Sequence, residues 1–135
     1  NYALFGEQNG QLMDTVLAAR SIIEEKKRRF SEAYQKGVNV AFGRDSGGFL
    51  MDQGKFVEEM LYMEDAGMSK VDIIKAATEN AASLCRISNI TGSITEGKSA
   101  DLLILNGNPL DDLRRFEDSL EIVFMKGQII KPQED

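Results

Sequence analysis

Gly37-Val38-Asn39-Val40-Ala41-Phe42-Gly43-Arg44-Asp45-Ser46-Gly47-Gly48 is the stretch whose reading decides the fold. Val38, Val40 and Phe42 make a short apolar run between glycines. It is too brief for a helix and suited to a strand of a parallel α/β sheet covered on both faces. The run ends on a carboxylate. Asp45 stands at the carboxyl end of this strand, and the small residues Ser46, Gly47 and Gly48 leave the acid open to a ligand; in α/β folds that end of the sheet is where chemistry is built. Taken without context, an aspartate at such a position is first of all an N-cap or turn residue.

Working outward toward the amino terminus, the pattern from about Gln11 to Lys36 is helical. Val16, Ile23, Phe30 and Tyr34 recur at spacings of seven, seven and four, and Glu24 with Arg28 and Glu25 with Arg29 make two acid-first i,i+4 pairs. The charge run Glu24 to Arg29 reads as a solvated helix face, and Gly37 as the glycine that ends the helix. Helix, glycine, strand is half of a βαβ unit. Asn1 to Gly10 reads as a strand end and a loop.

Toward the carboxyl terminus, Phe49 to Asp52 reads as a loop. Phe56, Val57, Met60, Leu61 and Met63 predict an amphipathic helix stopping at Gly67, with Met51, Met60 and Met63 serving as core filler. Ser69-Lys70-Val71-Asp72 has capping-box spacing and starts a third helix, whose apolar face is predicted to run Ile73, Ala77, Ala81, Leu84. Cys85 at its end reads as a small core residue, because no base accompanies it. Beyond Ser88 the period changes. Leu102 to Leu105 predicts a buried strand, Asn108-Pro109-Leu110-Asp111 a turn, and Ile122 to Met125 with Gln128 to Ile130 a hairpin about Lys126-Gly127. Lys131 to Asp135 is a polar tail.

Composition excludes several function classes. With 135 residues and 42% hydrophobic content the chain can bury a core. Lys and Arg number 16 against 22 Asp and Glu, a net charge of −6 with no extended basic cluster, so no nucleic-acid partner is expected. No run approaches the about 18 apolar residues of a membrane span, no leader pattern opens the chain, and the single Cys85 allows no intrachain disulfide; no membrane and a cytoplasmic, reducing setting are expected. There is no histidine. An imidazole base, triad or histidine zinc site therefore cannot be completed within these residues. That also disposes of Asp45-Ser46-Gly47-Gly48 as the nucleophile segment of a chymotrypsin-like protease. Gly43 to Gly48 lacks the Gly-Lys-Ser/Thr of a phosphate-binding loop.

Five blocks stand in order: Gly43 to Gly47; Glu64-Asp65-Ala66-Gly67-Met68-Ser69; Ile74-Lys75-Ala76-Ala77-Thr78-Glu79-Asn80-Ala81-Ala82; Gly92 to Leu105; and Gly107-Asn108-Pro109-Leu110-Asp111-Asp112. Together they resemble the carboxyl-terminal third of the metal-dependent amidohydrolase superfamily, in the branch of imidazolonepropionases and the Xaa-Pro and Xaa-Arg dipeptidases. The resemblance implies an α/β fold: the carboxyl-terminal portion of a (β/α)8 TIM barrel in residues 1–91, followed in residues 92–135 by the carboxyl-terminal strands of a small composite β-sandwich. It implies that Asp45 is both metal ligand and catalytic residue, taking the proton of a metal-activated water and passing it to the leaving nitrogen. The cofactor implied is a divalent metal, zinc first, as one or two ions whose other ligands lie upstream of Asn1. Lys98 and Asp101 belong to the same pattern, with turn geometry as their expected work.

The sequence departs from the pattern at Arg44, where relatives carry threonine. A guanidinium there either competes with a metal cation or forms a salt bridge directed away from it. The expected substrate is a small amide, cyclic amide or dipeptide. The remainder of the barrel is the expected partner, and the chain alone, short of that partner and of histidine ligands, is expected to be inactive and to aggregate, swap or form a homo-oligomer. The reading from another class is a non-catalytic fragment or degenerate barrel acting as a structural module.

Overall fold

The computed structural model describes residues 13–44 and 56–130. Asp45, the loop read at Phe49 to Asp52, Met51, the opening segment and the polar tail lie outside them. The chain divides into two compact units, Asn1–Val38 and Asn39–Asp135.

In the first unit a single helix, α1, spans Met13–Gln35. Its end follows the expected glycine stop: Gly37 has φ +79°, its N–H donates to Tyr34 O at 2.9 Å, and Val38 N–H reaches back to Ala33 O at 3.1 Å. This is the Schellman closure that only a left-handed residue permits without cost. The charged face is solvated; of the two expected pairs Glu25–Arg29 forms, while Arg28 turns to Glu25 and Glu32 in place of Glu24. Glu25 binds both Arg28, at 2.9 Å, and Arg29, at 2.7 Å, while Arg28 also pairs with Glu32. An acid three or four residues before a guanidinium lies on the same helix face, and Glu25 reaches two of them at once. Those two arginines hold the Glu25 carboxyl below its ordinary pKa.

The second unit opens with α2, Val57–Asp65, which buries Val57, Met60 and Met63. The methionine expectation holds at Met60 and Met63. Gly67, at φ +93°, closes this helix in the same manner, its N–H on Glu64 O and Met68 N–H on Met63 O. Ser69 then caps α3, Lys70–Lys75: Asp72 N–H donates to Ser69 Oγ at 3.2 Å, and the hydroxyl donates to Asp72 Oδ2 at 2.6 Å. The helix continues through a π turn, Ala76–Asn80, into α4, Ala81–Leu84.

That π turn alters the predicted face. A wider turn rotates every later side chain. The buried positions are Ile73, Ala76 and Ala82, whereas Ala77 and Ala81 are half-buried and Leu84 is 74% exposed. Cys85, just past the helix, is exposed instead of filling the core, for the same reason. The helix ends on Arg86 at φ +60°, with Arg86 N–H on Ser83 O and Ile87 N–H on Ala82 O. It is a third Schellman closure, here without glycine. Gly92, at φ +93°, packs directly on the π turn: a Cβ there would lie 2.6 Å from Ala82 Cβ and 3.0 Å from Thr78 O.

The strands expected after Ser88 form, but Leu102–Leu105 is not the buried strand expected: Leu103 and Ile104 are exposed, because no layer among the described residues covers them. β1, Leu102–Leu105, pairs antiparallel with β2, Leu120–Met125, which pairs antiparallel with β3, Gln128–Ile130. The order is β1-β2-β3, with a bulge between Ile104 and Leu105. Asn108 makes the expected turn, its Oδ1 accepting from Leu110 N–H and its carbonyl from Asp111 N–H. A short helix, α5, Arg115–Asp118, returns the chain to β2, and Leu113 before it is fully buried. At the hairpin tip Lys126 and Gly127 have φ +52° and +77°, both positive as a primed two-residue turn requires.

Asp101 locks that tip from outside. Its Oδ1 accepts from Lys126 N–H at 2.8 Å, its Oδ2 accepts from Thr91 Oγ1 at 3.1 Å, and Gly127 N–H donates to Ala100 O. Lys98 Nζ donates to Ser93 Oγ at 2.7 Å. Both residues do turn work, as expected. The Lys126 N–H above all holds the Asp101 carboxyl below its ordinary pKa.

One expected element differs in form. Residues 38–44 carry no strand assignment, because no described strand lies alongside to supply a ladder.

Three outcomes follow for the full-length protein. Gly92→Ala forces a left-handed residue into the Ala82 side chain and costs about 2–4 kcal/mol, read by amide hydrogen exchange across α3 and α4. Arg86→Gly removes the left-handed penalty and stabilises by about 1 kcal/mol, read as a higher Tm. A depressed aspartate pKa adds stability above the unfolded value and loses it as pH falls through the folded one. The Tm deficit of Asp101→Asn is therefore full at neutral pH and shrinks on acidification below about pH 4.

Candidate functional site

Asp45, which carries both the metal and the catalytic assignments, lies outside the described residues. What the structure places is the segment leading to it. Val40 and Phe42 are half-buried, and the Val40–Phe42 backbone is held from the side by the helix of the second unit. Asn80 Nδ2 donates to Val40 O at 2.8 Å, and Phe42 N–H donates to Ala76 O at 2.9 Å. Ala76 and Asn80 are the first and last residues of the π turn. Thr78 within the turn bonds its own helix, Oγ1 to Ile74 O at 2.7 Å.

Arg44, one residue before Asp45, lies near a carboxylate of α2. Its side chain is 13% exposed, with Nη2 4.0 Å from Glu58 Oε2 on α2. The pair is long for an ion pair, and Arg44 Nη1 is buried with no hydrogen-bond partner among the described residues.

Among the described residues no three His, Cys, Asp or Glu side chains converge as metal ligands. They do not fit a catalytic metal by themselves, since such a site keeps at least three protein donors. Nor is any described helix long and apolar enough to cross a membrane. Cys85 borders an open groove of about 1240 Å³ between the α3–α4 helix and the sheet, lined by Ile74, Ala82, Ile87, Ile94 and Leu103.

Asn80 and Ala76 carry contacts that sequence reasoning did not foresee. A signal existed: asparagine is unfavourable inside a helix, where its amide competes with the backbone, so Asn80 amid alanines marks a side chain with a partner outside its helix.

The chain matches the family described as "Amidohydrolase family" over residues 6–130. Ochratoxinase of Aspergillus niger is 28% identical over 135 residues, covering 95% of this chain and 27% of that protein. Its crystal structure superimposes with a TM-score of 0.77 at 27% identity, covering 93% of this chain and 29% of the other. Imidazolonepropionase of Picrophilus torridus is 34% identical over 80 residues, 59% of this chain and 20% of that one. A Xaa-Pro dipeptidase solved with methionine in its active site is 37% identical with a TM-score of 0.72, covering 78% of this chain and 25% of that one. The chain thus spans about a quarter of the length of the curated ochratoxinase. These solved relatives are amidohydrolases of TIM-barrel fold, as the resemblance of the sequence implied. With the match running through nearly all of its residues, Asp45 included, the chain belongs to the amidohydrolase family.

Proposed function

We propose that the full-length protein hydrolyses a C–N bond of an amide, cyclic amide or dipeptide, and that Asp45 is its proton carrier and one of its metal ligands. The observation that carries this reading is the family match across residues 6–130, which includes the Gly43-Arg44-Asp45-Ser46-Gly47 segment. The names of the relatives, a Xaa-Pro dipeptidase among them, favour an amide or dipeptide substrate.

A divalent metal, zinc first and as one or two ions, would supply an activated water, lowering its pKa to about 7. Most of its ligands would come from strands before Asn1. The work of this chain is then the carboxylate. Asp45 accepts the proton released as water attacks the amide carbonyl and returns it to the departing nitrogen, which must leave as a neutral amine.

The same reading assigns residues 1–91 to the barrel and 92–135 to a composite β-sandwich. Support comes from apolar surface left open: Ile94 is 90% exposed, and Leu103 and Ile104, neighbours on opposite faces of β1, are both exposed. Strands that are apolar on two faces call for a covering layer on each, which the remainder of the protein would supply. By itself the chain is then expected to self-associate. A reducing, cytoplasmic setting completes the proposal.

The test is metal content by plasma mass spectrometry on the full-length protein, beside a hydrolysis screen over dipeptides and cyclic amides. One to two equivalents of divalent metal are expected, with Asp45→Ala lowering turnover by about a hundred-fold or more. A folded, metal-free protein indifferent to the substitution would overturn the reading in favour of a structural module.

A further inference from the structure

Asn106-Gly107 follows β1, and the pair is disposed for a reaction within the chain itself. Asn106 is exposed, and its backbone is fixed by the bond from Asn106 N–H to Ser119 O at 2.8 Å. Neither its side-chain amide nor the Gly107 N–H makes a hydrogen bond among the described residues. Both reacting groups are therefore unengaged: an electrophilic amide carbon, and the backbone nitrogen that can close a succinimide ring on it.

Gly107 favours that closure in two ways. It has no Cβ to hinder its nitrogen, and it stands at φ +122°, a conformation that strains other residues. The Arg115 side chain passes beside it, with Nε 3.2 Å and Cζ 3.4 Å from the point a Cβ would occupy. Ser119 Oγ keeps the guanidinium there, accepting from Arg115 Nη1 at 3.1 Å. A fixed positive charge beside a peptide nitrogen favours its deprotonated, nucleophilic form and stabilises the oxyanion that forms as the nitrogen adds to the amide. The other described asparagines lack this arrangement. The Asn80 amide is held on Val40 O, Asn108 precedes Pro109, which has no N–H, and Asn39 and Asn89 precede the β-branched Val40 and Ile90.

We propose that Asn106 is a deamidation site, at which the chain modifies itself with water as the co-reactant. The Gly107 nitrogen, its proton lost to a solvent base, forms a bond to Asn106 Cγ. The Cγ–Nδ2 bond then breaks, and the departing nitrogen takes a proton from solvent and leaves as ammonia. Water opens the resulting succinimide at either carbonyl. Opening at Cγ yields aspartate; opening at the main-chain carbonyl yields isoaspartate, whose backbone is longer by a methylene. Nothing is oxidised or reduced, and the reaction is independent of the role given to Asp45. Either product places a new carboxylate next to Gly107, in competition with Ser119 Oγ for the Arg115 guanidinium, and makes the chain more negative than its −6.

The experiment ages the folded full-length protein in mildly alkaline buffer beside a synthetic peptide of residues 99–114, which lacks Arg115. Trypsin releases the same segment from the protein, and fragmentation in the mass spectrometer separates Asn106 from Asn108. Amide-to-acid exchange is expected at Asn106 as a mixture of aspartate and isoaspartate, the latter confirmed by enzymatic carboxyl methylation. Its rate should rise with hydroxide and lie within several-fold of the peptide's, whereas reaction through the unfolded chain alone would run at least about a thousand-fold slower. Asn39, Asn80, Asn89 and Asn108 should remain amides over the same time; Asn9-Gly10, outside the described residues, falls on a separate peptide. Asn106→Gln should abolish isoaspartate in the segment, and Arg115→Met should slow conversion several-fold. A folded protein that keeps its Asn106 amide after the peptide has fully converted would overturn the proposal. Equal rates in wild type and Arg115→Met would overturn the part given to Arg115. Should Arg115→Met fail to fold, the folded wild type against the peptide decides.

Discussion

The contact between the π turn Ala76–Asn80 and its two neighbours carries the rest of the second unit. On one side the turn binds the Val40–Phe42 backbone through Ala76 O and Asn80 Nδ2. On the other it receives Gly92 at a distance no side chain tolerates. Both contacts need small residues and an unusual backbone in the same place, which is why alanines surround a threonine and an asparagine there. Ile73, one turn earlier, is wholly buried and ties the arrangement to the core made by Val57, Met60 and Met63.

The sheet depends on a different device. Its three strands leave apolar side chains such as Leu103 and Ile104 exposed. Asp101 compensates locally, joining the hairpin tip at Lys126 to the loop at Thr91 by hydrogen bonds to one carboxylate. A carboxylate spent on backbone and hydroxyl donors is not free for chemistry. Lys98, on Ser93, is likewise engaged. Arg44, at 4.0 Å from Glu58, is the charged residue that the structure describes at the end of the 38–44 segment.

Much of the fold was legible in order. The three glycine or capping signals at Gly37, Gly67 and Ser69 each mark an observed helix boundary, because left-handed backbone and unsatisfied N–H groups restrict which residues fit. The strand at Leu102, the turn at Asn108 and the hairpin at Lys126-Gly127 were equally plain. The apolar face of the third helix was not. Ideal periodicity selected Ala77, Ala81 and Leu84, while the structure buries Ala76, three residues after Ile73, and Ala82, which lies past the wider turn. Past the same turn Cys85 is exposed, and Arg86 shows that a helix can close left-handed without the glycine that announces it.

By itself the sequence determined most element types, the helix boundaries at Gly37, Gly67 and Ser69, and the family, because those rest on local sterics, period and ordered motifs that a linear reading captures. It also determined that no histidine site can be completed here. The tertiary structure decided which helix atoms hold Val40 and Phe42, which way Arg44 turns, and that Asp101 is an anchor. Those outcomes join residues 14 to 40 positions apart, and nothing in local propensity encodes a hydrogen bond across such a separation.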